Sequence, residues 1–95
     1  MSLAKYKKAP ADVKRYAIDY SDWLDSGETI DSVSFAVSPS GALSVPSNEI
    51  SDDELSVTYF VSGGNDGVTY RVVVTIVTSG GQIKEDLILF VVREL

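Results

Sequence analysis

A chain of 95 residues, 44% of them apolar, can bury one core and little else, so a single domain is expected. It has neither Cys nor His, which removes disulfides, thiolate nucleophiles, imidazole bases and the usual zinc and iron ligands. A net charge of −6 argues against nucleic acid as a partner, since phosphate backbones call for clustered Lys and Arg, and no apolar run approaches the ~18 residues of a membrane span.

The N-terminus lacks the basic, apolar, small-residue order of a signal peptide, and the absence of Cys is compatible with cytosolic assembly. Met1–Leu3 read as a vector remnant and are left out of the fold. Residues 1–11 show no clear period and form an N-terminal arm, ahead of a domain at 12–95. Five of the eight basic residues (Lys5, Lys7, Lys8, Lys14 and Arg15) lie in this arm or just beyond it. A solvated, frayed arm is the plain expectation. Docking on the acidic body of a neighbouring subunit is the sharper one.

From Lys14 to Tyr20 the chain alternates, with Tyr16, Ile18 and Tyr20 on one face. Ser21–Leu24 breaks the period and reads as one helical turn capped by Ser21. Asp25-Ser26-Gly27 is turn chemistry. Thr29–Ser38 is a second strand, with Val33, Phe35 and Val37 in phase and a bulge near Asp31. After the Pro39-Ser40-Gly41 turn, Ala42–Val45 is a short strand and Asn48–Glu54 an acidic loop. Leu55–Val61 alternates again. Ser62–Gly67 is a Gly-rich connection into Thr69–Thr78, a long β-branched strand, and Ser79–Gln82 is a hairpin turn before Ile83–Val92.

Six or seven short strands with turn signals and no long helix define an all-β, immunoglobulin-like antiparallel β-sandwich. The expected core is Tyr16, Ile18, Phe35, Val57, Tyr59, Tyr70, Val72, Val74, Ile88 and Phe90. Tyr70 follows a tight turn at the entrance of a long strand, the setting of a tyrosine corner or of an ordinary core Tyr. Trp23 is expected to fill one end of the sandwich with its N–H bonded to backbone.

Four motifs in order carry a family resemblance: Val-x-x-Tyr-x-Ile-Asp-Tyr-Ser-x-Trp-Leu at Val13–Leu24, Gly-Glu-Thr-Ile at Gly27–Ile30, Ser-Gly-Gly with Gly-x-x-Tyr at Ser62–Tyr70, and Gly80-Gly81 before the last strand. From about Ala11 to Arg93 the chain resembles phage fibre-tail adaptor proteins, small immunoglobulin-like virion proteins of tailed bacteriophages. The resemblance implies a non-enzymatic structural protein of a phage or prophage virion, assembled in the bacterial cytoplasm. Its partners would be other virion or tail proteins, with self-association open, and no nucleic acid or membrane. The competing reading is a secreted or surface carbohydrate-binding or adhesion module, and a third is an accessory module of a longer enzyme.

Such proteins tend to alternate in the last strand, whereas Leu87–Val92 here is apolar without a break. A one-sided wet sheet should alternate, so burial on both faces is implied. With Ile88, Phe90 and Val92 inward, Leu87, Leu89 and Val91 point outward beside Val73 and Val77. These five are the expected interface, unless the arm, with Leu3 and Tyr6, folds over them or the two faces of the strand are exchanged.

Only carboxylates offer chemistry. Asp19, Asp22, Asp25, Glu28 and Asp31 could line a calcium site, but their spacing does not fit the twelve-residue calcium loop. Ser62–Gly67 lacks the Lys-Ser/Thr ending of a phosphate loop and leads into no helix. No catalytic, cofactor or metal residue is assigned.

Overall fold

The computed structural model describes residues 2–94. They form eight strands: β1 (Ser2–Lys8), β2 (Lys14–Asp19), β3 (Ile30–Ser38), β4 (Leu43–Ser44), β5 (Asn48–Ile50), β6 (Ser56–Gly63), β7 (Thr69–Thr78) and β8 (Ile83–Val92). The larger sheet has the order β1-β8-β7-β3, and the smaller has β2-β6-β4, with β5 also on β6. The two sheets pack as an immunoglobulin-like sandwich. Strict alternation of β-branched residues makes β7 a strand, and every second residue from Tyr70 to Thr78 is buried. Its hairpin partner β8 buries Asp86, Ile88, Phe90 and Val92. Tyr16, Ile18, Val57, Tyr59 and Val61 meet them from the smaller sheet.

Two of the eight strands, β1 and β5, are absent from the six segments that the pattern marks as strands. Residues 2–8 are not a frayed arm: β1 pairs in parallel with β8, from Ser2 beside Leu87 to Lys8 beside Val92. The sandwich is therefore antiparallel except at this pair. The chain lies along the edge of β8 rather than over its outer face, and the side chain of Leu3 lies outside the described residues. Tyr6 explains the docking, because its ring sits 4.6 Å from Tyr16 and 5.6 Å from Phe90 between the sheets. Lys8 is buried, its Nζ donating to the carbonyls of Gly63 and Ala9. Burial pushes its ammonium below the ordinary lysine value, with Asp12 working against that shift. The other addition, β5, takes three residues from the acidic loop onto the open side of β6.

Ser21–Leu24 is the single helical turn expected, but Asp19 rather than Ser21 supplies the side-chain acceptor at its start. Trp23 N and Leu24 N both donate to Tyr20 O, and Ser21 N donates to Asp19 Oδ1 at 2.9 Å. The register of β3 shifts between Ile30 and Ser32, which places the bulge where the phase break lies. The tyrosine corner is present: the Tyr70 hydroxyl accepts from Asn65 N at 2.9 Å. The turn beside it needs glycine, since Gly63 has φ +77° and a Cβ there would strike the carbonyl of Ala42.

Candidate docking face

Pairing in the larger sheet decides which side chains share its outer side. In the β7–β8 hairpin Val77 stands opposite Ile83, Thr75 opposite Glu85, Val73 opposite Leu87, and Arg71 opposite Leu89. On the flanks, β3 adds Ala36 beside Val73 and Ser34 beside Thr75, while β1 adds Lys5 beside Leu89 and Lys7 beside Val91. All five residues expected at an interface thus lie on one face. Val73, Leu87, Leu89 and Val91 are half-buried among their neighbours, and Val77 is 36% exposed. Pattern reading missed Ile83, which at 68% is the most exposed large apolar side chain of the larger sheet. Its place opposite Val77 in the hairpin was the available signal. Lys5 and Lys7 on this face were missed too, because the pattern does not show β1 as a strand.

The other singled-out positions are structural in placement. Tyr16, Tyr70 and Phe90 are buried. Phe35 is only half-buried, because β3 is an edge strand, and its ring lies 5.1 Å from Tyr59. Trp23 is half-buried at the end of the sandwich, with Lys84 Nζ 5.5 Å from its ring centre. Lys84 also pairs with the buried Asp86 at 3.1 Å. Burial first, and then the Asp86 carboxylate, push the Tyr20 phenol well above its ordinary value.

The acidic residues gather at one end of the sandwich, where β2 and β7 finish and β3, β6 and β8 begin. All but four of the fourteen (Asp12, Glu49, Asp66 and Glu94) are there, and of the eight basic residues only Lys84 is. Several of these carboxylates close turns. Glu28 accepts from Thr78 Oγ1, Gln82 Nε2 and Asp25 N, tying the turn before β3 to the β7–β8 hairpin. Those donors, Thr78 foremost, hold its carboxyl below the usual value. Gly80 permits this approach, as a Cβ there would lie 2.5 Å from Glu28 Oε2. Ser51 Oγ and Leu55 N do the same for Asp53. Such donor sets explain the acidic spacing as turn capping. Among the described residues no three carboxylates converge as a metal site would require.

The outer side of the smaller sheet is different. A depression of about 230 Å³ there is lined by Arg15, Ser47, Asn48, Glu49, Thr58 and Phe60. It mixes charges of both signs with hydroxyl groups around one exposed ring.

Fold and surface together define a small immunoglobulin-like sandwich protein with an uncovered apolar sheet face. The chain belongs to the Gp77 family, described as podophage GP4 fiber-tail adaptor protein gp77, whose model matches residues 8–91. The match spans β2 to the penultimate residue of β8 and leaves nearly all of β1 outside. No curated protein matches the chain. Membership makes this a structural protein of the phage tail, a component of the virion, as the motif order implied.

Proposed function

We propose that the chain is a non-enzymatic fibre-tail adaptor that works by burying the outer face of its larger sheet against other tail protein, after assembly in the host cytoplasm. The observation that carries this reading is the unbroken run Leu87–Val92. Its inner members fill the core, so the outer members, Leu87, Leu89 and Val91, contribute little there and are free to meet a partner. Contiguous apolar patches of this kind mark interaction surfaces. Neither nucleic acid nor membrane is among the proposed partners.

The carbohydrate-binding alternative needs a platform of exposed rings. Of the nine aromatic residues only Phe60 is exposed, at 38%. One ring does not make a platform, so the adaptor reading is favoured. Leu89→Lys tests it. The variant is expected to fold with a near-normal melting midpoint yet to be missing from purified particles, while Ala17→Lys, on the other sheet, is incorporated. Normal incorporation of Leu89→Lys would remove this face from the function.

A further inference from the structure

The outer face of the larger sheet is polar in an ordered way. Taken along the strands, its rows begin with Val77 and Ile83, pass through Thr75 and Glu85, reach Val73 and Leu87, and end in two rows holding Leu89 and Val91. The last two rows carry Lys5, Lys7 and Arg71. The first two carry Glu85 and border the end where the acidic residues gather. Apolar residues therefore lie at both ends and in the middle, with negative charge on one side of the middle and positive charge on the other.

We propose that this face is self-complementary and that its occupant is a second copy of the chain, packed face to face with antiparallel strands about a two-fold axis. The proposal rests on reading the face as a docking surface and adds the identity of the partner. A two-fold axis across the strands, at the Val73–Leu87 row, lays β8 on β8 and β7 on β7 in opposite directions. Leu87 and Val73 then meet their own counterparts at the centre. Glu85 falls over Leu89 of the second copy, between its Arg71 and Lys5. Ile83 falls over Val91. The central row meets itself, Ile83 meets Val91, and Glu85, the acidic position of this face, meets Leu89 flanked by two basic side chains.

The other face-to-face arrangement has its axis along the strands. It would set Glu85 on Glu85 and the Lys5–Arg71 row on itself, and like charges facing each other disfavour it. Charge thus selects the antiparallel arrangement, which also opposes the acidic end of each copy to the basic half of the other. Aligned packing of two sheets is an ordinary solution for apolar sheet faces. Strands ~4.8 Å apart and same-face rows ~6.8 Å apart give a patch of roughly 550 Å² per copy. This falls below the ~800 Å² per partner of a standard interface, so a weak dimer, with micromolar dissociation, is expected.

The absence of Cys allows a direct test on the whole chain. Leu87→Cys, next to the axis, is expected to form a reducible covalent dimer under mild oxidation, whereas Ala17→Cys on the opposite sheet is not. Sedimentation across the micromolar range should show the mass rising from the 10.3 kDa monomer toward twice that value. Glu85→Arg and Arg71→Glu, both at exposed positions, should each weaken association about tenfold or more, and the double swap should restore it. A monomer at every concentration with no cross-link through Leu87→Cys overturns the dimer. So does a double swap no better than either single one, with thermal melting used to show that each variant is folded. The adaptor function is judged separately by particle incorporation of Leu89→Lys: if the dimer fails but incorporation still depends on Leu89, the face belongs to a different tail protein.

Discussion

The inner sides of the two sheets are alike and their outer sides are opposites. Inward, Tyr16, Ile18, Val57, Tyr59 and Val61 on the smaller sheet face Val72, Val74, Ile76, Ile88, Phe90 and Val92 on the larger, all buried. Outward, the smaller sheet shows Arg15, Ala17, Asp19, Thr58 and Glu49, with Phe60 as its one exposed ring. That is what one wet side of a sheet requires. The larger sheet instead shows Val73, Val77, Ile83, Leu87, Leu89 and Val91 outward. The core has no need of these side chains, and this difference is what supports the proposal that the larger sheet is the one that docks.

The comparison can be tested from its strongest element down. Truncating the buried Phe90 to Ala is expected to cost ~3–5 kcal/mol in denaturant melts. Phe35→Ala, on an edge strand and half-buried, should cost only about half as much. Equal losses would mean that β3 is covered in solution. Lys84→Met leaves the Asp86 carboxylate buried and unpaired, at a cost of about 3 kcal/mol, and replacing Asp86 with Leu in the same chain should recover most of it. If the single variant melted like wild type, the pair would have no structural role.

Tyr70→Phe removes the acceptor for Asn65 N and is expected to cost about 1 kcal/mol with no change in fold. Changes in pH probe the turn-closing carboxylates. The folded-state value of Glu28 lies below its usual 4.5, so its contribution is whole above that pH and is lost as pH falls through the lower folded value. Tyr20 and Tyr59 are raised above 10.0, so their contribution is whole below that pH and declines above it. The melting midpoint should therefore hold between these limits and fall outside them. Thr78→Val, which removes the main donor to Glu28, should flatten the acid limb. The smallest effect on stability belongs to the docking face. Leu89→Lys should stay within about 0.5 kcal/mol of wild type, as surface substitutions generally do. Its neighbour Ile88→Lys, facing the core, should unfold the domain.

Much of the fold was legible in the sequence. Strands Thr69–Thr78 and Ile83–Val92 were read with their observed limits, because long β-branched alternation bounded by glycine turns leaves no competing period. The bulge near Asp31 was visible as a phase break in the apolar pattern. Strand β1 was not, since the three lysines and one tyrosine at Lys5–Lys8 read as a charged arm and a buried Lys8 contradicts the usual rule for lysine. Nor was β5, as three residues are too few to show a period. The apolar members of the candidate face were legible through the Gly80-Gly81 hairpin, whereas Lys5 and Lys7 on its border were not, because they reach it only through the parallel pairing of β1.

Local pattern alone determined the strand count to within two, the inward phase of the long strands, the setting of Tyr70 and the family, since each depends on residues close in the chain. The tertiary structure decided which strands are edges, why Phe35 is only half-buried, how Lys8 and Asp86 came to be buried, and which charges border the apolar face. Those outcomes depend on pairing between residues as far apart as Lys5 and Leu89, and no local period encodes such a pairing.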